Sequence, residues 1–85
     1  MSLEALRNPK ARVIGLKQTT KAVEKGHARM VYVAGDADER LVRDLLTKCR
    51  ERGVELVRVD TMAALGKACG IDVGAAAAAV VRVND

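Results

Sequence analysis

Apolar and polar positions follow two periods along this chain, and the switches between them mark its elements. Arg12 to Ile14 forms a brief β-type run, and the spacing from about Leu16 to Lys25 predicts a helix that Gly26 stops. Met30 to Ala34 is almost wholly apolar and β-rich, the pattern of a strand covered on both faces. Val42, Leu45, Leu46 and Cys49 then recur at helical spacing and place one face on the core. Asp36 or Asp38 caps that helix, which ends before Gly53. Val54 to Val59 predicts a third strand, and Asp60 or Thr61 caps a short helix closed by Gly70. Val80, Val81 and Val83 predict the last strand. At the front of the chain, Ser2 caps a short helix through Arg7, which Asn8-Pro9 ends.

The order α-β-α-β-α-β-α-β predicts one α/β domain over residues 1–85: a three-layer α/β/α sandwich with a four-stranded mixed sheet. With 85 residues, such a domain buries roughly 60% of the surface its unfolded chain exposes, which argues against a large ligand cavity. Hydrophobic residues at 49% and charged residues at 31% fit a soluble globular domain rather than a disordered tail. There is no repeat or linker, and the alanine run Ala75 to Ala79 suits close packing of a strand against helices. Cys49 and Cys69 stand far apart with only His27 to accompany them, which supports neither a zinc site nor a thioredoxin-like motif. Reduced, partly buried thiols are expected, with no metal or cofactor. Nothing in Met1 to Gly15 reads as a secretory signal, and Ala75 to Val81 is too short to cross a bilayer, so a cytoplasmic monomer without membrane contact is expected.

The net charge of +4 favours polyanionic partners, although basic surfaces also serve solubility alone. The aromatic content narrows this further. Tyr32 is the only aromatic residue, so the chain has no platform on which single-stranded bases stack. An RNA partner would have to be a structured element, read through hydrogen bonds, helix ends and aliphatic contacts.

The helix opening Gly15-Leu16-Lys17-Gln18-Thr19-Thr20-Lys21 concentrates suitable groups. Gly15 lets another backbone come close at the helix entry. Lys17 and Lys21 are four apart and share a face, so a bound anion relieves their repulsion. Gln18 both donates and accepts, as a base edge requires, and Thr19 and Thr20 can reach phosphate oxygens. The same residues also suit a merely solvated basic helix. In the second segment, Gly66 and Gly70 bracket a turn of helix, Lys67 can meet phosphate, and Ile71 and Val73 flank Asp72 in a loop. Aliphatic residues in such a loop are more often tucked into the core than offered to a ligand.

Three blocks, Gly15 to Gly26, Val31 to Glu39 and Leu65 to Ala76, resemble in order and separation those of the L7Ae/L30e family of ribosomal and kink-turn-binding proteins, above all its short bacterial members. The resemblance spans nearly the whole chain. It implies the three-layer sandwich and binding to a kink-turn, a sharply bent RNA motif with tandem sheared G·A pairs, in ribosomal or regulatory RNA or on the ribosome. It implies no enzyme activity. Residues matching Lys17, Gln18 and Lys21 reach the G·A pairs in the family, and here Lys17-Gln18 replaces the Asn-Glu of many archaeal and eukaryotic members. The loop matching Ile71, Asp72 and Val73 packs against the bend. Asp38, Val42 and Met62 match positions near an extruded nucleotide, where the family often has a lysine in place of Met62. The RNA-binding set carried forward is Gly15, Leu16, Lys17, Gln18, Lys21, Asp38, Lys67, Ile71, Asp72 and Val73, acting by capture of the kinked conformation. Two other readings compete: a small Mg²⁺-binding domain using Asp36 and Asp38, and a protein-interaction module anchored by Ile71 and Val73.

Overall fold

A computed structural model describes residues 3–82. A single 3-10 turn, Glu4–Arg7, stands where a short helix is expected, and Ser2 lies outside the described residues. Asn8 ends the turn in an extended conformation, as the residue before a proline must. The remaining elements are β1 (Arg12–Ile14), α1 (Leu16–Glu24), β2 (Ala28–Ala34), α2 (Glu39–Arg52), β3 (Glu55–Val59), α3 (Met62–Ala68) and β4 (Ala77–Val81). The sheet order is β1-β4-β2-β3, with β4 antiparallel to both neighbours and β2 parallel to β3. The expected four-stranded mixed sheet is therefore present.

Side chains leave the sheet alternately to its two faces. Val31, Ala77 and Ala79 meet Val23 of α1 and Leu45 and Cys49 of α2 on one side. Tyr32, Ala34 and Ala78 meet Leu6 of the 3-10 turn, Leu65 of α3 and Cys69 at its end on the other. This makes three layers. Arg12 ties the second face together by donating to the carbonyl oxygens of Leu6 and Cys69.

The last strand begins three residues before Val80, and Val83 lies outside the described residues. Its alanines occupy the centre of the sheet and are wholly buried. Alanine has little strand preference of its own, but a central strand under helices on both faces selects small side chains. The helix boundaries follow their caps. Asp38, not Asp36, accepts the N–H of Arg40 at the start of α2, and Thr61, not Asp60, accepts the N–H of Ala64 at the start of α3. Gly26 and Gly53 lie in the left-handed region just past α1 and at the end of α2. Cys49 and Cys69 are free and buried, and burial raises both thiols above their ordinary pKa, so they stay protonated at neutral pH.

Two substitutions test the packing. Alanine for glycine within a helix normally gains about 1 kcal/mol. A Cβ at Gly66, however, would lie 2.0 Å from the carbonyl oxygen of Val73, and backbone cannot yield as a side chain does. Gly66→Ala should lower stability by about 1–3 kcal/mol in urea unfolding, and an unchanged or higher midpoint would contradict the close approach. Thr19 is wholly buried, and its hydroxyl has no hydrogen-bond partner among the described residues. Thr19→Val should therefore raise stability by about 1 kcal/mol, whereas a loss would mean that the hydroxyl is bonded.

Candidate nucleic-acid interface

The strand directions decide where the candidate residues meet. β1, β2 and β3 all end at one edge of the sheet, where β4 begins, so α1, α2 and α3 all start at that edge. Two of these starts are closed by side chains: Asp38 caps α2 and Thr61 caps α3. The start of α1 is different. Gly15 has no side chain to offer, no other side chain caps the helix, and its first turn carries no acid. The N–H groups of that turn, and the partial positive charge they sum to, are left for an external acceptor.

Gly15 reaches this position at φ 100°, a conformation that favours glycine. A Cβ there would meet nothing within the protein, so its conformation requires the glycine, not a close backbone approach. Lys17 and Gln18 project exposed from the first turn and Lys21 from the next. Leu16 beside them is half-buried and packs against both cores. Neither threonine acts as expected from the sequence. Thr19 is buried with Ala22 and Val23, and the Thr20 hydroxyl donates to the carbonyl oxygen of Leu16 at 2.8 Å.

The segment before β4 lies directly beside this helix start. Gly15 donates its N–H to the carbonyl oxygen of Ala77 at 2.8 Å, and Ala34 donates to that of Ala76 at 2.9 Å. Further back, Ala75 donates to the carbonyl oxygen of Met62 and Ile71 to that of Gly66, so residues 71–75 run back along α3. Gly66 and Gly74 permit the approach, because a Cβ on Gly74 would come within 3.2 Å of the Met62 Cβ. The two aliphatic residues of the loop separate. Ile71 packs against the core, while Val73 is 69% exposed and Asp72 points into solvent beside it.

The other candidates vary in their relation to this surface. Asp38 stands at the same edge, where Arg40 both bonds and pairs with its carboxylate at 3.2 Å and holds its pKa below the ordinary aspartate value. Val42 is buried and lines a small cavity of about 150 Å³ together with Ala37 and Glu39, the neighbours of Asp38 in the chain. Met62 is occupied locally: its N–H donates to Asp36 Oδ1 at 2.7 Å and its side chain covers Gly74. Lys67 is exposed in the last turn of α3, and no hydrogen bond or ion pair joins it to α1. The carboxylates of Asp36 and Asp38 are thus engaged in fixing helix starts, and no group of three metal-ligating side chains exists among the described residues. What sequence reasoning missed was the fitting of Gly66 and Gly74 under the loop, a contact between distant positions that leaves no local pattern.

Comparison with known proteins agrees with this geometry. The model of the ribosomal protein L7Ae/L30e/S12e/Gadd45 family matches residues 2–85. An RNA-binding protein of Caldanaerobacter subterraneus subsp. tengcongensis is 51% identical over 73 residues, covering 86% of this chain and 89% of that protein. The large ribosomal subunit protein eL8 of Halobacterium salinarum is 45% identical over 85 residues, covering 99% of this chain and 71% of that protein. Among solved structures, the Giardia lamblia 15.5kD RNA binding protein matches with a TM-score of 0.86 at 29% identity, over 96% of this chain and 72% of that one. The family match over almost the full length, the two relatives and the shared fold lead to one conclusion: this chain belongs to the ribosomal protein L7Ae/L30e/S12e/Gadd45 family.

Proposed function

We propose that this protein binds RNA and captures the kinked form of a kink-turn, in ribosomal RNA or a regulatory transcript, as a cytoplasmic factor that can act on the ribosome. The observation that carries this reading is the uncapped start of α1, which Gly15 ties to the first residue of β4, four residues after the exposed Val73. The backbone N–H groups after Gly15 and the ammonium groups of Lys17 and Lys21 offer donors and charge to phosphates. Gln18 offers an amide to a base edge, where a well-placed pair is worth about 1–3 kcal/mol.

A sharp bend brings phosphates together, and the unbound RNA resists it by their repulsion. Cations on one helix face offset that repulsion, so the protein shifts the RNA toward the bent state by binding that state more tightly. Val73, with Ile71 anchoring the loop beneath it, covers apolar surface at the bend, and Asp72 stays at the rim. Asp38 and Lys67 flank this centre, Lys67 as a point charge toward phosphate. The bound helix start thereby gains the acceptors it lacks in the free protein.

A salt-controlled titration tests the reading, using a kink-turn RNA and a partner whose sheared G·A pairs are replaced by Watson–Crick pairs. The intact motif should bind at least about tenfold more tightly, corresponding to roughly 1.4 kcal/mol. Lys21→Ala should reduce that affinity several-fold and lower the salt slope by about one, with folding stability changed by less than about 0.5 kcal/mol. Equal affinity for the two RNAs would leave only a basic surface. An unchanged salt slope for Lys21→Ala would remove that lysine from the interface.

A further inference from the structure

The opposite edge of the sheet carries a second concentration of positive charge. There α1 and α2 end, β2 and β3 begin and β4 leaves the sheet, which is about 20 Å from the start of α1 by the seven-residue length of β2. An open cavity of about 630 Å³ at this edge is lined by Arg29, Arg52 and Arg82, with Glu55 as its one acid. Arg82 also borders an adjoining groove that contains Lys25 and His27 and runs along α1 to Lys21 and Gln18. None of the three guanidinium groups has an ion pair or side-chain hydrogen bond among the described residues.

Arg29 is placed there by an irregularity in the sheet. Ala28 pairs with Val81 and Met30 with Val80, so Arg29 is an extra residue bulged out of the β2 ladder. Such bulges redirect a side chain at the cost of local pairing. Arg52 has an ordinary role as a cation in the last turn of α2, but Arg29 and Arg82 have no helix end of their own to serve. A single phosphate would be satisfied by one guanidinium fork. Cations spread over two helix ends, β2 and the residue after β4, along two joined grooves, fit a linear polyanion whose charges repeat along its length.

We propose that this edge is a second RNA-backbone site, which holds a duplex arm without reading its sequence while the start of α1 engages the kinked element. It rests on the RNA-binding reading for the class of polyanion; its three arginines are not residues of the first site, and the groove through Arg82 leads along α1 to Lys21. The protein would then hold two RNA segments, or two parts of one folded RNA, on opposite edges.

The test measures binding of a plain RNA duplex, without a kink-turn, to the full chain as a function of salt. The double variant Arg29→Gln/Arg82→Gln should bind it about tenfold more weakly at low salt, with the salt slope reduced by about two. Its preference for the kink-turn over the Watson–Crick control should be retained. The double variant Arg43→Gln/Arg50→Gln loses the same charge from exposed α2 positions outside the cavity and should bind the duplex as the parent does. Equal duplex binding by the parent and Arg29→Gln/Arg82→Gln would overturn the proposal. An equal loss in the α2 variant, or displacement of the duplex by inorganic phosphate at matched ionic strength, would also do so. A parent that binds the duplex through these arginines but shows no kink-turn preference would instead overturn the kink-turn reading alone.

Discussion

The alanine strand at the centre of the sheet is the constraint on which the rest of the structure depends. Ala77, Ala78 and Ala79 are wholly buried between β1 and β2, with α1 and α2 on one face and α3 on the other. In an interior packed as densely as a crystal, larger side chains here would push both helical layers outward. The start of the same strand also positions the surface edge. The carbonyl oxygens of Ala76 and Ala77 take the N–H groups of Ala34 and Gly15, which fixes the entry to α1 next to the loop that precedes the strand. Packing in the core and geometry at the edge are therefore set by one short segment.

That edge leaves one deliberate gap in its hydrogen bonding. Aspartate and threonine side chains close α2 and α3, and each such cap contributes about 1 kcal/mol. α1 goes without one and sets two lysines four residues apart on one face. In the free protein this arrangement sacrifices helix stability at a site otherwise well braced by neighbouring hydrogen bonds. Under the proposed function, an anionic partner recovers the loss on binding. The exposed Val73 beside it has the same character, since its position depends on the fit of Gly66 and Gly74 rather than on burial of its own side chain.

Much of this was legible in the sequence where a local rule applies. Glycines past helix ends, aspartate and threonine before helix starts, and the apolar run of β2 identify their elements, because cap chemistry and periodicity act within a few residues. The start of β4 was not legible, since period-two alternation vanishes when both faces are buried and alanine has no strand bias. Thr19 and Thr20 looked equivalent, yet a step of one residue turns the helix by about 100°, and the triplet Thr19, Ala22, Val23 was the available sign of the buried face. Ile71 and Val73 also looked alike, and it is the path of the loop back along α3, where Ile71 donates to the carbonyl oxygen of Gly66, that leaves Ile71 packed on the core and Val73 exposed. The roles of Asp36 and Gly66 are long-range contacts that no window of sequence contains.

The central claim is that the start of α1 and the loop before β4 act as one RNA-binding surface. NMR mapping of backbone amides and valine methyl groups during titration with a minimal kink-turn RNA tests it most directly. The account predicts coincident changes at Gly15, Lys17, Gln18 and the Val73 methyl groups, saturating together. Changes absent from either segment, or saturating at different RNA concentrations in the two, would contradict it.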